Sequence, residues 1–241
     1  MNKTILIIPA FNESSKIENV IRKVNLHCQS LIDTICVIDD CSSDDTADKA
    51  KKAGAFVLRH NKNMGVGAAI RTGLDYGHLE NYDIAVIISG DDQHDPGEMK
   101  NVLAPIQAGD YDFIQGSRYI KGGKTINQPL FRKILTKAYP VVFFILTGRY
   151  CSDITNGFRA FKVKPVYNDP AINLHQDWLN RYELEVYLLY KIYNSNKYKK
   201  KEVPISILYH DSLRDRTKMK PLIDWWRIFR PILLLKLGLK K

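Results

Sequence analysis

Four short polar clusters carry the side chains best suited to chemistry, and each follows directly on an apolar run. Pro9-Ala10-Phe11-Asn12-Glu13 follows residues 5–8, and Asp39-Asp40-Cys41-Ser42-Ser43-Asp44-Asp45-Thr46 follows 34–38. Gly90-Asp91-Asp92-Gln93-His94 follows 84–88, and Gly116-Ser117-Arg118 follows 113–115. Carboxylates grouped with an amide offer the hard oxygen ligands that Mg2+ and Mn2+ take. Arginine offers a planar fork that matches phosphate. Ligand-binding groups of open parallel sheets collect beyond the carboxyl ends of the strands, so these clusters imply a site rather than solubilising charge. No GxGxxG follows the first run, which argues against a dinucleotide-dependent dehydrogenase, and no GxxxxGK[ST] occurs, which excludes a P-loop on pattern.

The elements that must hold these clusters read as βαβ units around a parallel sheet, because short apolar runs alternate with helical patterns. Residues 5–8 are continuously apolar, as in a strand covered on both faces. Ser14 or Ser15 is placed to cap a helix whose core face is Ile17, Val20, Ile21 and Val24. Further strands are expected over 34–38, 56–58, 84–88 and 113–115, with Asp44 and Asp45 opening a helix where negative charge suits the N-terminal dipole. Gly65, Gly67, Ala68, Ala69 and Gly73 predict a helix over 65–76 packed close against a neighbour. Asp95-Pro96 starts another, with proline in its first turn. After residue 120 the pattern changes to a loop at Gly122-Gly123, helices over 132–146 and 181–193, and a strand over 203–208. With no internal repeat and no low-complexity linker, the expected organisation is one domain over 1–220 and a basic amphipathic C-terminal segment over 221–241.

The 241 residues, 45% hydrophobic and 26% charged, suit a soluble globular protein with an ordinary core. No stretch reaches the ~20 apolar residues of a membrane-spanning helix. The opening run lacks the basic lead-in and cleavage site of a secretory signal. Cys28, Cys36, Cys41 and Cys151 form neither a CxxC pair nor a zinc spacing, as expected of reduced thiols in the cytoplasm. The net charge of +10 is concentrated from Lys197 onward and would attract nucleotides, nucleic acid or acidic headgroups. Nucleic acid is the least favoured of these, since the bases lack an aromatic-interleaved platform.

The strings PAFNE, DDCSSDDT, Asn63-x-Gly65 with Ala69 and Gly73, GDDQHDP, GSRY and DITNGFRAFK occur in the order found in family 2 glycosyltransferases. Over about residues 3 to 220 the chain most resembles their dolichol-phosphate mannose synthase and polyprenyl-phosphate sugar transferase branch. The resemblance implies an α/β GT-A (Rossmann-like) fold, with a mostly parallel central sheet and helices on both faces. It further implies a nucleoside-diphosphate sugar donor, a divalent metal and inversion at the anomeric carbon. Pro9, Phe11, Glu13, Ile38 and Asp40 match the positions that receive base and ribose, Phe11 standing where the family often has Tyr. Ser89, Gly90 and Asp91 match the rest of the donor site. Asp91 corresponds to the second Asp of the family's DxD pair and Gln93 to a Gln that often assists it, so these are the expected ligands of Mg2+ or Mn2+. Ser89 stands where the first Asp would be, and Asp92 is the residue at hand to share its role. His94 reads either as a ligand or as a turn histidine bonded to backbone.

On the acceptor side the resemblance points to Asp153-Ile154-Thr155-Asn156-Gly157-Phe158-Arg159. A sugar hydroxyl would need a general base within hydrogen-bond reach, whereas a lipid phosphate is already ionised and needs cations to position it. Asp153 is the candidate base or metal-side orienter and, with Asp91, the expected catalytic pair. Arg118, Arg132 and Arg159 are the candidate phosphate contacts. Glu183 matches an acidic position on the next helix, and Glu185, two residues round, reads as surface. The family's R-x-x-G-x-S-K pattern survives in part over 212–218, where Arg216 and Lys218 are expected to contact phosphate.

The expected reaction is transfer to a polyprenyl (dolichyl or undecaprenyl) phosphate. Transfer to a sugar hydroxyl of a lipopolysaccharide or capsule glycan and a donor-binding protein without turnover are the alternatives. Trp225, Trp226 and the interspersed bases suit an interfacial helix, with Pro231 interrupting or beginning it. The expectation is therefore a cytoplasmic protein in peripheral contact with the inner face of the membrane. A packed core or dimer-interface helix is the other reading, and homo-oligomerisation stays open.

Overall fold

The computed structural model describes residues 2–210 and 223–241. The first half alternates strand and helix: β1 (Thr4–Ala10), α1 (Ile17–Cys28), β2 (Thr34–Asp39), α2 (Thr46–Lys52), β3 (Phe56–Arg59), α3 (Val66–Leu79), β4 (Ile84–Ile87), α4 (Met99–Gln107) and β5 (Phe113–Ser117). The second half is less regular: β6 (Lys124–Ile126), α5 (Leu130–Thr147), β7 (Arg159–Lys162), α6 (Val163–Tyr167), α7 (Glu183–Asn194), β8 (Lys200–Pro204), β9 (Ser206–Leu208) and α8 (Ile223–Lys236).

Seven strands form one sheet in the order β3-β2-β1-β4-β7-β5-β8. All run parallel except β7, which lies antiparallel between β4 and β5. The alternation along β1 explains the layers. Ile5 and Ile7 face a core completed by α3, α5, α6, α7 and α8, whereas Leu6 and Ile8 face α1, α2 and α4. The strand order reverses direction at β1, with β2 on one side and β4 on the other, which is where such sheets open a crevice. This is the GT-A architecture expected from the sequence.

The small-residue pattern of α3 has its cause in this packing. A Cβ on Gly73 would stand 2.5 Å from Ile7 Cγ2, so glycine sets how closely the helix approaches β1. Asp95 caps the turn Pro96–Glu98 by accepting from Gly97 N–H, as its sequence suggested.

Other expectations are corrected. Neither Ser14 nor Ser15 caps α1: Lys16 is the N-cap residue, its side chain makes no capping bond, and Ser14 N–H donates instead to Asp44. The single strand expected over 203–208 is two, since β8 ends the main sheet while β9 pairs with β6 in a separate two-stranded sheet. Pro231 neither begins nor interrupts α8, which runs through it with the ring buried. That helix lies on α5 and α7. Tyr139 OH donates to Ile228 O and the Tyr139 ring packs on Phe229, while Glu183 accepts from Arg230.

Candidate active site

β1 and β2 end at the same level, with Pro9 beside Ile38 and Ala10 beside Asp39, so their loops meet. The loops are laced together. Asn12 N–H donates to Ser42 Oγ (2.9 Å), Ser43 N–H to Asn12 Oδ1 (2.8 Å) and Glu13 N–H to Thr46 Oγ1 (2.8 Å). Much of the DDCSSDDT string therefore serves to hold the PAFNE loop. Asp39 is buried, accepts from Ser42 N–H (3.1 Å) and pairs with Arg59 Nε (3.1 Å). Asp40 closes the start of α3 onto β2: its carboxylate accepts from Met64 N–H (2.8 Å) and Gly65 N–H (2.7 Å) and meets His60 Nδ1 (2.7 Å).

Beyond β4 the chain turns at Asp92, whose φ of 59° lies in the left-handed region. The turn sends adjacent acids in opposite directions. Asp91 lines the cavity, whereas Asp92 is held on α1 by Lys23 Nζ (2.8 Å) and Asn19 Nδ2 (2.7 Å). Asp92 thus does not take up the role vacated at Ser89. His94 Nδ1 accepts from Ser89 N–H (3.1 Å), so its proton sits on Nε2 and is donated to Asn156 Oδ1 (2.9 Å). Burial pushes its pKa below the ordinary 6.5, keeping the ring neutral. Its geometry is that of the backbone-bonded turn histidine, joining the β4 end to the 151–158 loop.

That loop is the one expected from the sequence to serve the acceptor. Arg118 grips Asp153 through Nε to Oδ2 (2.7 Å), Nη2 to Oδ1 (2.6 Å) and its backbone N–H to Oδ2 (3.0 Å). Two further donors go to Thr155 Oγ1 (2.7 Å) and Tyr209 OH, which leaves one Nη1 N–H for a ligand. Burial would lower the guanidinium's pKa, but the charge and hydrogen bonds of Asp153 hold it above its ordinary value. Arg118 lines the cavity; Asp153 is buried beneath it and does not. Both oxygens of the carboxylate expected as base or metal-side orienter are thus taken up by Arg118. Arg159, the third candidate phosphate contact, is also held within the fold. It is buried, donates to Glu185 O (2.9 Å) and Asn156 O (2.6 Å), and faces Glu185 Oε1 at 3.5 Å, so its guanidinium fixes the loop to α7. Glu185, expected at the surface, lines the cavity, whereas Glu183 is turned the other way and buried against Arg230 and Arg227 of α8.

These walls enclose about 650 Å³. Of the residues singled out from the sequence, Pro9, Phe11, Glu13, Asp40, Ser89, Asp91, Gln93, Arg118, Arg132 and Arg159 line it. Ile38 does not, being wholly buried in the core, and Gly90 sits behind the wall, where a Cβ would come within 3.2 Å of Pro9 O. Arg216 and Lys218 lie outside the described residues. Lys16, Arg181, Tyr182, Tyr209, Asp224, Trp225 and Arg227 line it too and were not foreseen. Lys16 lies three residues after PAFNE and Arg181 two before Glu183, which is a usable signal; nothing in the sequence brings Tyr209 beside Arg118.

The profile described as Glycosyl transferase family 2 matches residues 5–168, which covers β1 through α6 and every strand-end cluster above. The chain belongs to glycosyl transferase family 2. Among relatives of this glycosyltransferase, UDP-N-acetylglucosamine--dolichyl-phosphate N-acetylglucosaminyltransferase of Methanococcus voltae is 30% identical, over 97% of this chain and 96% of that one. Polyprenol monophosphomannose synthase of Mycolicibacterium smegmatis is 33% identical over 66% of this chain and 62% of that one. Glucosyl-3-phosphoglycerate synthase from Mycobacterium tuberculosis, crystallised with Mn2+, UDP and glucosyl-3-phosphoglycerate, shares the fold with a TM-score of 0.70 at 18% identity, covering 100% of this chain and 81% of that one.

For a divalent cation, the β4 end of this glycosyltransferase offers one carboxylate, Asp91, flanked by the Gln93 amide and the Ser89 hydroxyl. Among the described residues no group of three or more His, Cys, Asp or Glu is arranged to hold an ion by itself. Mg2+ is commonly held by one or two carboxylates together with substrate phosphates, and this donor set fits a cation of that kind.

Proposed function

We propose that this glycosyltransferase moves a sugar from a nucleoside diphosphate to a polyprenyl phosphate, with inversion, at the surface of a membrane. The observation that carries the reading is the acceptor wall. Arg118 and Arg132 line the cavity there, while Asp153, the carboxylate that would serve a hydroxyl acceptor as base, is buried under Arg118. A phosphate arrives ionised, needs no base, and is attracted and oriented by arginine. The relatives named for dolichyl-phosphate and polyprenol products support the same acceptor class.

On the donor side, Pro9 and Phe11 supply a wall for the base, and Glu13 with Asp40 supplies acceptors near it. Asp40 also holds the pocket's rim through Met64 and Gly65. Asp91 and Gln93 would hold Mg2+ or Mn2+ carried on the diphosphate; once bound, the cation neutralises the leaving diphosphate. The acceptor oxygen, held by Arg118 and Arg132, approaches the anomeric carbon from the side away from the diphosphate, which inverts it. In this reading residues 1–220 are the catalytic domain and 221–241 an extension that meets the membrane on its cytoplasmic face. Supporting that contact, Phe131, Ile134, Phe144 and Ile145 of α5 and Trp226 and Leu233 of α8 are exposed, with Lys133, Lys137 and Lys236 on the same helices. Such faces seat apolar groups at headgroup depth while lysines reach water. No described helix is long and apolar enough to cross a membrane.

The test uses radiolabelled UDP-, GDP- and dTDP-sugars with vesicles containing undecaprenyl or dolichyl phosphate and Mn2+. Label that partitions into organic solvent is expected, and is lost on Arg132→Ala. Transfer to water-soluble product alone would overturn the lipid-phosphate acceptor.

A further inference from the structure

We infer that Arg181 is a phosphate-binding residue of the donor pocket, which takes the diphosphate of the nucleotide sugar and offsets the carboxylate missing at Ser89. This rests on the donor reading above and adds to it a cation whose backbone and stem are held in place.

The first observation is how the backbone of Arg181 is fixed. Residues 179–181 press onto the start of α3, where Asn180 O accepts from Ala68 N–H (2.9 Å) and Asn180 Oδ1 accepts from Arg71 Nη2 (2.7 Å). Two glycines make this approach feasible. A Cβ on Gly67 would stand 2.1 Å from Leu179 O and 2.3 Å from Arg181 O. A Cβ on Gly65 would stand 2.5 Å from Asn180 O and 2.7 Å from Arg181 Cγ, and Gly65 has a φ of 101° besides. The space left by the absent Gly65 side chain is therefore used by the stem of Arg181.

The second observation is location. Gly65 N–H is bonded to Asp40, so the arginine stem starts beside the donor end, away from Arg118 at the end of β5. The third is charge. Among the described residues Arg181 has no hydrogen bond or ion pair through its guanidinium, although it lines the cavity. The other cations there are all engaged: Arg118 with Asp153, Arg159 with Glu185, Arg227 with Asp224, and Lys16 and Arg132 as well. Arginine stays charged at any relevant pH, and its fork matches two phosphate oxygens at once. With one carboxylate at the β4 end, a diphosphate brings more negative charge than a loosely held cation offsets. Among the described residues Arg181 is the unspent positive group on that side.

The experiment titrates UDP and GDP, and the nucleosides uridine and guanosine, into the full chain by calorimetry, in EDTA and in Mn2+. In EDTA, Arg181→Gln is expected to weaken the diphosphate about tenfold or more while leaving the nucleoside unchanged, with Arg181→Lys recovering part of the loss. In Mn2+ the loss should be smaller, and Ser89→Asp in the Arg181→Gln background should restore binding only when Mn2+ is present. Equal diphosphate affinity for wild type and Arg181→Gln in EDTA would overturn the inference. So would wild-type diphosphate binding that vanishes in EDTA, or an equal loss of nucleoside. If the wild type binds neither diphosphate even with Mn2+, the donor reading falls along with it. Matching melting temperatures for wild type and Arg181→Gln separate contact from fold.

Discussion

The two sides of the cavity hold their acids differently. On the proposed donor side every one of these carboxylates bonds backbone N–H groups, Asp39 to Ser42, Asp40 to Met64 and Gly65, Asp44 to Ser14 and Thr46, with Arg59 and His60 as added partners of Asp39 and Asp40. On the proposed acceptor side they pair with arginines far away in the chain, as in Arg118–Asp153 and Arg159–Glu185. A carboxylate on amides shapes a loop, and its removal leaves neutral donors unsatisfied. A buried ion pair fastens two elements together, and removing one partner strands a charge. The donor wall is thus set by loop shape and the acceptor wall by charge balance.

The sharpest way to break that contrast is Asp153→Ala, which leaves Arg118 buried without its acid. It should cost roughly 3–5 kcal/mol in urea unfolding, and a loss under about 1 kcal/mol would mean that charge does not hold the acceptor wall. Asp40→Ala comes next, at about 1–3 kcal/mol from the stranded Met64 and Gly65 amides, with donor binding lost in calorimetry. If Asp40→Ala proves costlier than Asp153→Ala, the ordering of the two walls is wrong.

A smaller effect should come from Glu202, which accepts from Ser152 N–H (2.8 Å) and Ser152 Oγ (2.7 Å) just before Asp153. Burial raises its pKa above the ordinary 4.5, and the Ser152 bonds only partly oppose this. Between 4.5 and the raised value the folded chain therefore binds more protons than the unfolded one. Its contribution to stability is present below 4.5 and is lost as pH rises through the raised value. Melting temperatures measured across that window should show this decline in the wild type and a flatter profile in Glu202→Gln. The smallest effect is Asp92→Ala. Lys23 is 38% exposed, so stability should change by no more than about 1 kcal/mol, while the loosened 90–93 turn raises the donor KM.

The same contrast explains what the sequence could reveal. Donor-side clusters each sit at the end of an apolar run, so PAFNE, DDCSSDDT and GDDQHDP announce both their strands and their cavity, although the bonds that lace the first two together join residues 30 and 33 positions apart. Even so, Ile38 and Asp40 share a face of β2 while only Asp40, past the strand's end, reaches the cavity. The acceptor side depends on partners chosen by the fold. Asp153 is recognisable as a loop acid, but its partner 35 positions earlier is not. β7 went unforeseen because Arg159-Ala160-Phe161-Lys162 is too short for a period to show, and it directly follows a loop motif. Glu185 was misjudged because α7 has no solvent face at that point: one side meets α8 and the other the cavity.

The antiparallel strand also sets an order of assembly. β3, β2, β1 and β4 pair among themselves and are all synthesised by Ile87. β5 ends at Ser117, yet its sheet partners are β7, which begins at Arg159, and β8, which begins at Lys200. On a ribosome the donor half has all its strands while β5 still lacks both neighbours, so the nascent chain can complete the nucleotide pocket's sheet well before the acceptor wall exists.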